Sequence, residues 1–204
     1  VNGKVEDLRT VLTEDCELSI LTARDKEGLT VVRHTTSHVL AQAMKHVFPE
    51  AKLAIGPSIE NGFYYDVMLP EGISISDSDF VKIEKKMTEL LQKKEELVRN
   101  EISKADALRF FGERGQNYKN ELIEELEDGT ITTYTQGAYT DLCRGPHLMS
   151  TAPIKAVKVM SVSSAYWRGD EHNQMLTRIY GTAFTKKAEL DAYLTMMEEA
   201  RKRD

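Results

Sequence analysis

The sequence predicts an α+β protein, in which an antiparallel sheet packs with helices and the strands are segregated from the helices instead of alternating as βαβ units. Residues 27–48 repeat apolar side chains every three or four positions, which is typical of a long amphipathic helix. Residues after Gly129 are rich in Thr, Val, Ile and aromatic side chains, which favour strands. Residues 185–204 carry one apolar stripe on a charged background, which indicates a terminal helix.

The elements before Gly129 follow from local signals. Cys16–Ala23 alternates apolar and polar residues, which predicts a strand, and the polar residues after it mark a boundary near 23–28. Pro49 ends the long helix because its ring cannot continue a helix. Turn and capping signals then predict two short strands with a hairpin-like link in 51–69, a helix in 76–96, a strand in 96–103, a short helix in 103–114 and a helix from about residue 118.

Three strands are predicted after Gly129, in residues 130–137, 154–167 and 175–184. The terminal helix follows directly after the last strand. Its predicted apolar stripe consists of Leu190, Tyr193, Leu194 and Met197.

Composition limits the class of protein. Only two cysteines occur, Cys16 and Cys143, and they form no disulfide framework, so we expect reduced thiols and a cytoplasmic protein. No apolar run approaches the roughly 18–20 residues that span a bilayer, and the N-terminus lacks signal-peptide features. The net charge of −6 argues against non-specific coating of nucleic acid, but it leaves a local pocket for one nucleic-acid end open. Because the chain does not begin with Met, we expect that it starts inside a longer protein.

Two short motifs concentrate reactive side chains. In "RHTTSH", His34 and His38 are four residues apart on the predicted helix, so both rings lie on one face. In "DLCRGPH", Cys143 and His147 have the same spacing, but Gly145 and the proline after it prevent a helix and predict a loop or tight turn. These two motifs contain four of the seven His and Cys residues of the chain.

Three kinds of chemistry fit this set of residues, and spacing does not choose among them. Three histidines and one cysteine form a complete ligand set for tetrahedral zinc. Alternatively, Cys143 is a nucleophile that His147 activates. In the third scheme the histidines act as acid and base on a bound water, while the thiol lines the pocket.

Other stretches are candidate walls of a site. "AIGPSIENGFYYD" combines a Gly-Pro turn with the aromatic residues at 63–65, which either stack on a base or belong to the core. Lys119 in "QNYKNEL" lies near a predicted helix start, where a cation gains nothing from the helix dipole. We therefore consider Lys119 either an exposed lysine or a pocket lysine.

Together, in this order, "RHTTSH", "AIGPSIENGFYYD", "YKNEL", "DLCRGPH" and "AYWRGD…MLTRIYGTAF" resemble the N-terminal region of bacterial-type threonyl-tRNA synthetases. The resemblance extends over essentially the whole chain. It implies an α+β editing domain of the threonyl/alanyl-tRNA synthetase second additional domain type, built around the long HxxxH-bearing helix. In that family this domain hydrolyses serine that is wrongly esterified to the threonine tRNA.

The resemblance also implies a division of the chain. Residues 1–25 are similar to the tail of a small ubiquitin-like domain, residues 26–184 to the editing domain, and residues 185–204 to the start of a helix that leads to the aminoacylation core. Because the core motifs are not in this sequence, we expect the chain to edit without activating threonine. The implied partners are the 3′ end of the threonine tRNA carrying serine and the rest of the synthetase chain, with no membrane and no DNA.

The resemblance assigns expected roles to single residues. Tyr65 with the Gly56-Pro57 turn binds the terminal adenosine, and Asp141 anchors the serine ammonium group. Lys119 and His34 hold or deprotonate the attacking water and assist the leaving ribose oxygen. His38, Cys143 and His147 shape the amino-acid end of the pocket, with Cys143 beside the place of the threonine methyl group. Leu142 is a further expected substrate-binding residue.

The alanyl-tRNA synthetase editing domains hold zinc with the same HxxxH and CxxxH arrangement, whereas the threonyl type is not known for a metal there. We therefore expect metal-free hydrolysis by water, with no cofactor. Two alternatives are a non-catalytic module that binds the tRNA acceptor end and a zinc-dependent aminoacyl-ester hydrolase of the alanyl type.

Overall fold

The computed structural model describes residues 1–204 and confirms the predicted α+β class. The helices are α1 (Lys26–Val47), α2 (Asp77–Gln92), α3 (Lys104–Glu113), α4 (Asn117–Glu124) and α5 (Lys187–Arg203). The strands, which all pair antiparallel, are β1 (Lys52–Leu53), β2 (Ser58–Ile59), β3 (Gly62–Met68), β4 (Leu97–Glu101), β5 (Thr132–Gln136), β6 (Tyr139–Leu142), β7 (Ala156–Tyr166) and β8 (Met175–Phe184). None of the helices combines the length and the apolar character that crossing a membrane requires.

A five-stranded sheet carries the main core. Its strands run in the order β1, β3, β8, β7, and β2 pairs with the edge of β3 that also holds β1. Helices α1 and α2 pack against each other, α1 also packs on β3 and β8, and α2 on β7. The core has 18 buried apolar residues, and its large, fully covered members include Leu40, Met44, Phe63, Ile83 and Met87. Burial of each such side chain stabilises the fold by about 1.5–3 kcal/mol.

A second, smaller sheet runs in the order β4, β5, β6. Helices α3 and α4 pack against each other beside it. Their shared apolar cluster contains Ala107, Phe111, Ile123 and Ile131. This cluster is distinct from the main core, which Tyr139 of β6 joins from the smaller sheet, and the candidate site lies where the two sheets meet.

The helix starts predicted from capping residues are confirmed. The Ser76 backbone N–H donates to the Asp79 carboxylate at 2.8 Å, as part of a capping box in front of α2. The Ser103 hydroxyl oxygen accepts from the Asp106 N–H at 3.1 Å and caps α3. Helix α1 ends at Val47, two residues before Pro49, as its pattern predicts.

Two predictions are wrong in detail. Cys16–Ala23 is not a strand, because no neighbouring strand pairs with it and Glu17 exchanges its backbone hydrogen bonds with Asn2 alone. On α5 the apolar stripe is shorter than predicted. Leu190 is buried against Phe184, but Met197 is 43% exposed.

Candidate active site

Four reactive side chains converge at the junction of the two sheets. Helix α1 places His34 and His38 one turn apart on the same face. The loop that follows β6 brings Cys143 and His147 against them. One ring nitrogen of each histidine and the Cys143 sulfur atom all lie within 4.8 Å of one another. We call these four residues the histidine–cysteine cluster.

The loop after β6 owes its shape to a glycine and to pairing with β5. Gly145 has a φ of +77°, and a Cβ atom there would lie 2.2 Å from the Tyr134 hydroxyl oxygen, so only glycine fits. The predicted loop begins at Cys143. Asp141 and Leu142 are instead the end of strand β6, because they pair with Tyr134 and Thr133 of β5. The strand thus points Asp141 into the interior.

The hydrogen-bond partner of His34 fixes which of its ring nitrogens is basic. Its Nδ1 lies 3.3 Å from the backbone oxygen of Pro146. Because a carbonyl oxygen only accepts, Nδ1 carries the proton and donates it. The lone pair is then on Nε2, which faces the Cys143 sulfur at 3.4 Å. The His34 residue as a whole is partly exposed.

His147 has the opposite arrangement. The Thr35 hydroxyl oxygen accepts a hydrogen bond from the Leu148 N–H at 3.1 Å. The proton of this hydroxyl group is then available to donate to His147 Nδ1, which lies 2.9 Å away. The proton of the His147 ring is then on Nε2, 3.1 Å from the Cys143 sulfur. A ring that donates to the sulfur does not remove the thiol proton. This geometry disfavours Cys143 as a nucleophile activated by His147.

Burial sets the protonation states in the cluster. It raises the pKa of the Cys143 thiol to about 12, which keeps the sulfur protonated at neutral pH. It also lowers the pKa of His34, and it lowers the pKa of His38 to about 3 although the Asp141 charge opposes this. The pKa of His147 falls well below its usual value for the same reason. The imidazoles are therefore neutral at neutral pH, as a general base must be.

Beside the cluster lies a polar seam, formed by Tyr65, Lys119, Tyr139 and Asp141, that joins the two sheets. Lys119 Nζ lies 2.6 Å from the Asp141 carboxylate, and both side chains are only 2% exposed. Tyr65 of β3 and Tyr139 of β6 each donate a hydroxyl hydrogen bond of 2.8 Å to the same carboxylate. Burial alone would raise the pKa of Asp141, but Lys119 and then His38 hold it at about 2.

Lys119 uses all three of its protons inside the protein. It donates to the Tyr65 hydroxyl oxygen at 2.7 Å and to the Ala54 backbone oxygen, besides its ion pair with Asp141. The structure therefore places Lys119 in the interior as a pocket lysine rather than an exposed one. In this arrangement Lys119 holds Tyr65, Ala54 and Asp141 in place.

Several predicted substrate-binding residues lie around the mouth of the site, but two do not offer the expected surface. Gly56 and Pro57 are partly exposed, and the Gly56 backbone oxygen accepts from the Ser37 hydroxyl of α1 at 2.7 Å. Leu142 is also partly exposed, but it packs against the apolar cluster of α3 and α4. Tyr65 is fully buried, and the Gly56 backbone packs so closely on its ring that a Cβ atom at residue 56 would lie 2.0 Å from it. The ring therefore has no free face on which a base could stack. The Asp141 carboxylate is 1% exposed and already paired. A substrate ammonium reaches Asp141 only if one of its present partners moves.

Sequence reasoning missed several residues of the site. Tyr139 lies two residues before Asp141 on the same side of a strand, a period-2 signal that could have identified it. Thr35 contacts the His147 ring, but nothing in the sequence distinguishes it from the other small polar residues between the two histidines of α1. Asp7 contacts the His147 backbone across 140 residues of sequence, and no local pattern indicates such a contact.

The histidine–cysteine cluster fits a metal ion of the zinc type. Three imidazoles and one thiol are a tetrahedral donor set, and ligand distances of about 2.0–2.3 Å place such donors within the observed spread. His34 has the outer partner that metal-bound imidazoles use, the Pro146 oxygen, and His147 would gain one if its Nδ1 donated to the Thr35 hydroxyl oxygen and left Nε2 free for the ion. The four residues could therefore hold such an ion.

Comparison with known proteins shows which proteins this chain resembles. Residues 131–180 match the family model described as "Threonyl and Alanyl tRNA synthetase second additional domain", a range that includes the loop with Cys143 and His147. Over its whole length the chain is 55% identical to a threonine-tRNA ligase of Parabacteroides distasonis, 56% to one of Bacteroides fragilis and 53% to one of Acetivibrio thermocellus.

The chain spans about a third of the length of these curated relatives, 31% of the first two and 32% of the third. The matching domain lies in the part of the chain that forms β5, β6, the site loop and β7. All 204 residues of this chain thus align with a part of threonine-tRNA ligases, and the chain carries the threonyl and alanyl tRNA synthetase second additional domain.

Proposed function

We propose that this chain is an editing module that hydrolyses the ester bond between serine and the threonine tRNA, as part of a cytoplasmic threonyl-tRNA synthetase. The relatives are named threonine-tRNA ligases, and the matched domain is common to the threonyl and alanyl enzymes. The observation that carries the proposal is the neutral His34 ring, whose Nε2 lone pair faces the centre of the histidine–cysteine cluster. It supplies a general base where an ester could bind.

In the proposed reaction His34 activates a water molecule. Its Nε2 takes a proton as the water oxygen bonds to the ester carbonyl carbon, and the resulting tetrahedral intermediate carries the negative charge on the former carbonyl oxygen. The bond from that carbon to the ribose oxygen then breaks, and the ribose oxygen receives the proton held on His34 Nε2, which returns the imidazole to its neutral form. The products are free serine and free tRNA. General base catalysis of this kind contributes about 100- to 10,000-fold to the rate.

A separate hydrolytic site is needed because serine and threonine differ by one methyl group. Loss of a methylene-sized group from a binding pocket weakens binding by only about 1–3 kcal/mol, which is too little for accurate selection. A second site that excludes the larger amino acid corrects the error. In this proposal the Cys143 side chain, with His38 and His147 around it, fills the place of the threonine methyl group.

The remaining contacts of the substrate belong to the same proposal. The terminal adenosine binds at the partly exposed Gly56-Pro57 turn, which Ser37 of α1 contacts through the Gly56 backbone oxygen. The serine ammonium group turns toward Asp141 and displaces one of its tyrosine partners. Tyr65 contributes through its hydroxyl group instead of through its buried ring.

A second candidate is a zinc-dependent hydrolysis of the alanyl type, which the donor set of the histidine–cysteine cluster favours. His34, His38, Cys143 and His147 would hold the ion, and zinc would supply Lewis acidity to the ester and lower the pKa of bound water. In either reaction the polar seam holds α1 and β6 together behind the reacting groups.

Deacylation of matched seryl- and threonyl-tRNA by this chain tests the proposal. We expect rapid release of serine, slow release of threonine, and a loss of about 100- to 10,000-fold in the His34→Ala variant. His46→Ala is the matched control, because His46 is an exposed histidine at the far end of the same helix. Binding of tRNA without hydrolysis by the unaltered chain would support the non-catalytic module and contradict this proposal.

A further inference from the structure

The first 25 residues form neither helix nor strand, yet two of their side chains are well covered. The side chains of Asp7 and Arg9 are 10% and 17% exposed. Leu8, which lies between them, is 76% exposed, and Val11 is 79% exposed. This part of the chain is therefore attached through polar contacts and not through burial of its apolar side chains.

Arg9 binds the backbone of the segment that carries His147. Its guanidinium group donates to the backbone oxygens of Leu148 at 3.1 Å and His147 at 3.5 Å, and also to that of Leu97 at the start of β4. The same group contacts the Asp7 carboxylate at 2.9 Å. A guanidinium group presents its donors in a rigid plane, so these acceptors are held in one fixed arrangement.

Asp7 contacts His147 from the other side. One carboxylate oxygen of Asp7 accepts from the His147 backbone N–H at 3.1 Å and from the Tyr134 hydroxyl at 2.8 Å. The Tyr134 ring in turn packs edge-on against the His147 imidazole, with 4.5 Å between the ring centroids. Asp7 thereby holds both the backbone of His147 and the aromatic ring that limits its side-chain rotation.

We propose that Asp7 and Arg9 act as a latch that positions the His147 imidazole within the histidine–cysteine cluster. They are positioning residues and not catalytic ones, since they touch neither the reacting atoms nor the cluster nitrogens. The latch couples the N-terminal segment, which the sequence assigns to a neighbouring domain, to the geometry of the hydrolytic site. Its effect on rate rests on the proposed function, whereas its effect on the His147 ring does not.

Kinetics of the full 204-residue chain test the latch. Misplacing a site group by an ångström lowers rates by up to about 100-fold, so we expect Asp7→Ala to lower kcat for seryl-tRNA by about 10- to 100-fold with little change in KM. Asp7→Asn keeps an oxygen acceptor and should recover part of the rate. Asp15→Asn and Arg24→Gln are matched controls, because both side chains are exposed and make no side-chain contact.

Coupling between positions separates the latch from a general structural role. Tyr134→Phe removes the hydroxyl group that Asp7 accepts from, so part of the loss in Asp7→Ala and in Tyr134→Phe has the same origin. We expect the double variant to be less impaired than the product of the two single effects. Fully independent effects on kcat would contradict the latch.

Nitrogen-15 NMR of the histidine rings gives a readout that needs no activity. In the unaltered chain His147 should show one ring tautomer, with its proton on Nε2. In Asp7→Asn and Arg9→Lys, both chosen to keep the fold, the His147 signals should shift or broaden while those of His172 stay unchanged. Unchanged His147 signals and kcat in these folded variants would overturn the proposal. An unaltered chain without hydrolysis would refute the editing function alone.

Discussion

Helix α1 is buried on two sides, and the two sides are stabilised in different ways. On one side Leu40 and Met44 join the apolar core beneath the five-stranded sheet. On the other side His34 and His38 join the histidine–cysteine cluster, which lies against the polar seam. The apolar side holds the helix in place, and the polar side uses that rigid support to present reactive groups.

The contrast teaches how one element serves both stability and chemistry. Apolar contacts have no direction, so each core side chain adds its share of stability largely by the area it buries. Each atom of the polar seam instead has a defined partner, and removing one partner leaves a buried charge uncompensated. Substitutions in the core should therefore lower stability alone, while substitutions in the seam should lower both stability and activity.

The largest effect on stability is expected when the buried ion pair is broken. Lys119→Met leaves the Asp141 carboxylate without its cation, so we expect a loss of about 3–5 kcal/mol in the free energy of unfolding, measured in urea. Deacylation by the folded fraction should fall as well. The double variant Lys119→Met/Asp141→Asn removes both charges and should recover much of the stability but little activity. A Lys119→Met variant as stable as the parent would contradict this account of the seam.

A substitution in the apolar core should affect stability without affecting the chemistry. Ile83 of α2 is fully buried, and Ile83→Ala should lower the free energy of unfolding by about 2–5 kcal/mol through lost burial and a cavity. The control Val81→Ala changes an exposed side chain of the same helix and should stay within about 0.5 kcal/mol. Under conditions where both variants are folded, kcat for seryl-tRNA should match the parent. A large fall in kcat would show that the core and the site are coupled.

A smaller effect is expected when the sulfur of the cluster is replaced. Because burial keeps the Cys143 thiol protonated, Cys143→Ser should retain seryl-tRNA hydrolysis within about tenfold of the parent. The smaller oxygen leaves room for a methyl group, so hydrolysis of threonyl-tRNA should rise relative to that of seryl-tRNA. Rates on both substrates measure this. A trapped thioester on Cys143 in the parent chain would contradict hydrolysis by water.

The smallest effect is expected on removal of metal ions. If water and His34 carry the reaction, prolonged chelation should leave the seryl-tRNA deacylation rate unchanged, and metal analysis of the active chain should find less than one zinc per molecule. Loss of activity that zinc restores would instead support the alanyl-type reaction, for which the cluster has a suitable donor set.

The sequence predicted the fold and both motifs because their signals are local. The period of α1 and the capping residue Ser76 are properties of short segments, and they agree with the structure. Cys16–Ala23 had the alternation of a strand, but a strand also needs a partner, which no local pattern supplies. The burial of Lys119 could not be predicted either, because it depends on Asp141 of strand β6, which is distant in sequence. The contact between Asp7 and the His147 backbone could not be predicted for the same reason, because the two residues are 140 positions apart.

The long separation between contacting residues has a consequence for the order of events during synthesis. The bond between Asp7 and the His147 backbone joins positions 140 residues apart, and the Lys119 side chain reaches the Ala54 backbone across 65. Contacts of such long range form late, because closing a large loop costs conformational entropy that only other stabilising contacts offset. A chain emerging from a ribosome would carry both helical histidines well before it could cleave an ester. Hydrolytic activity should thus serve as a marker for complete folding of this unit.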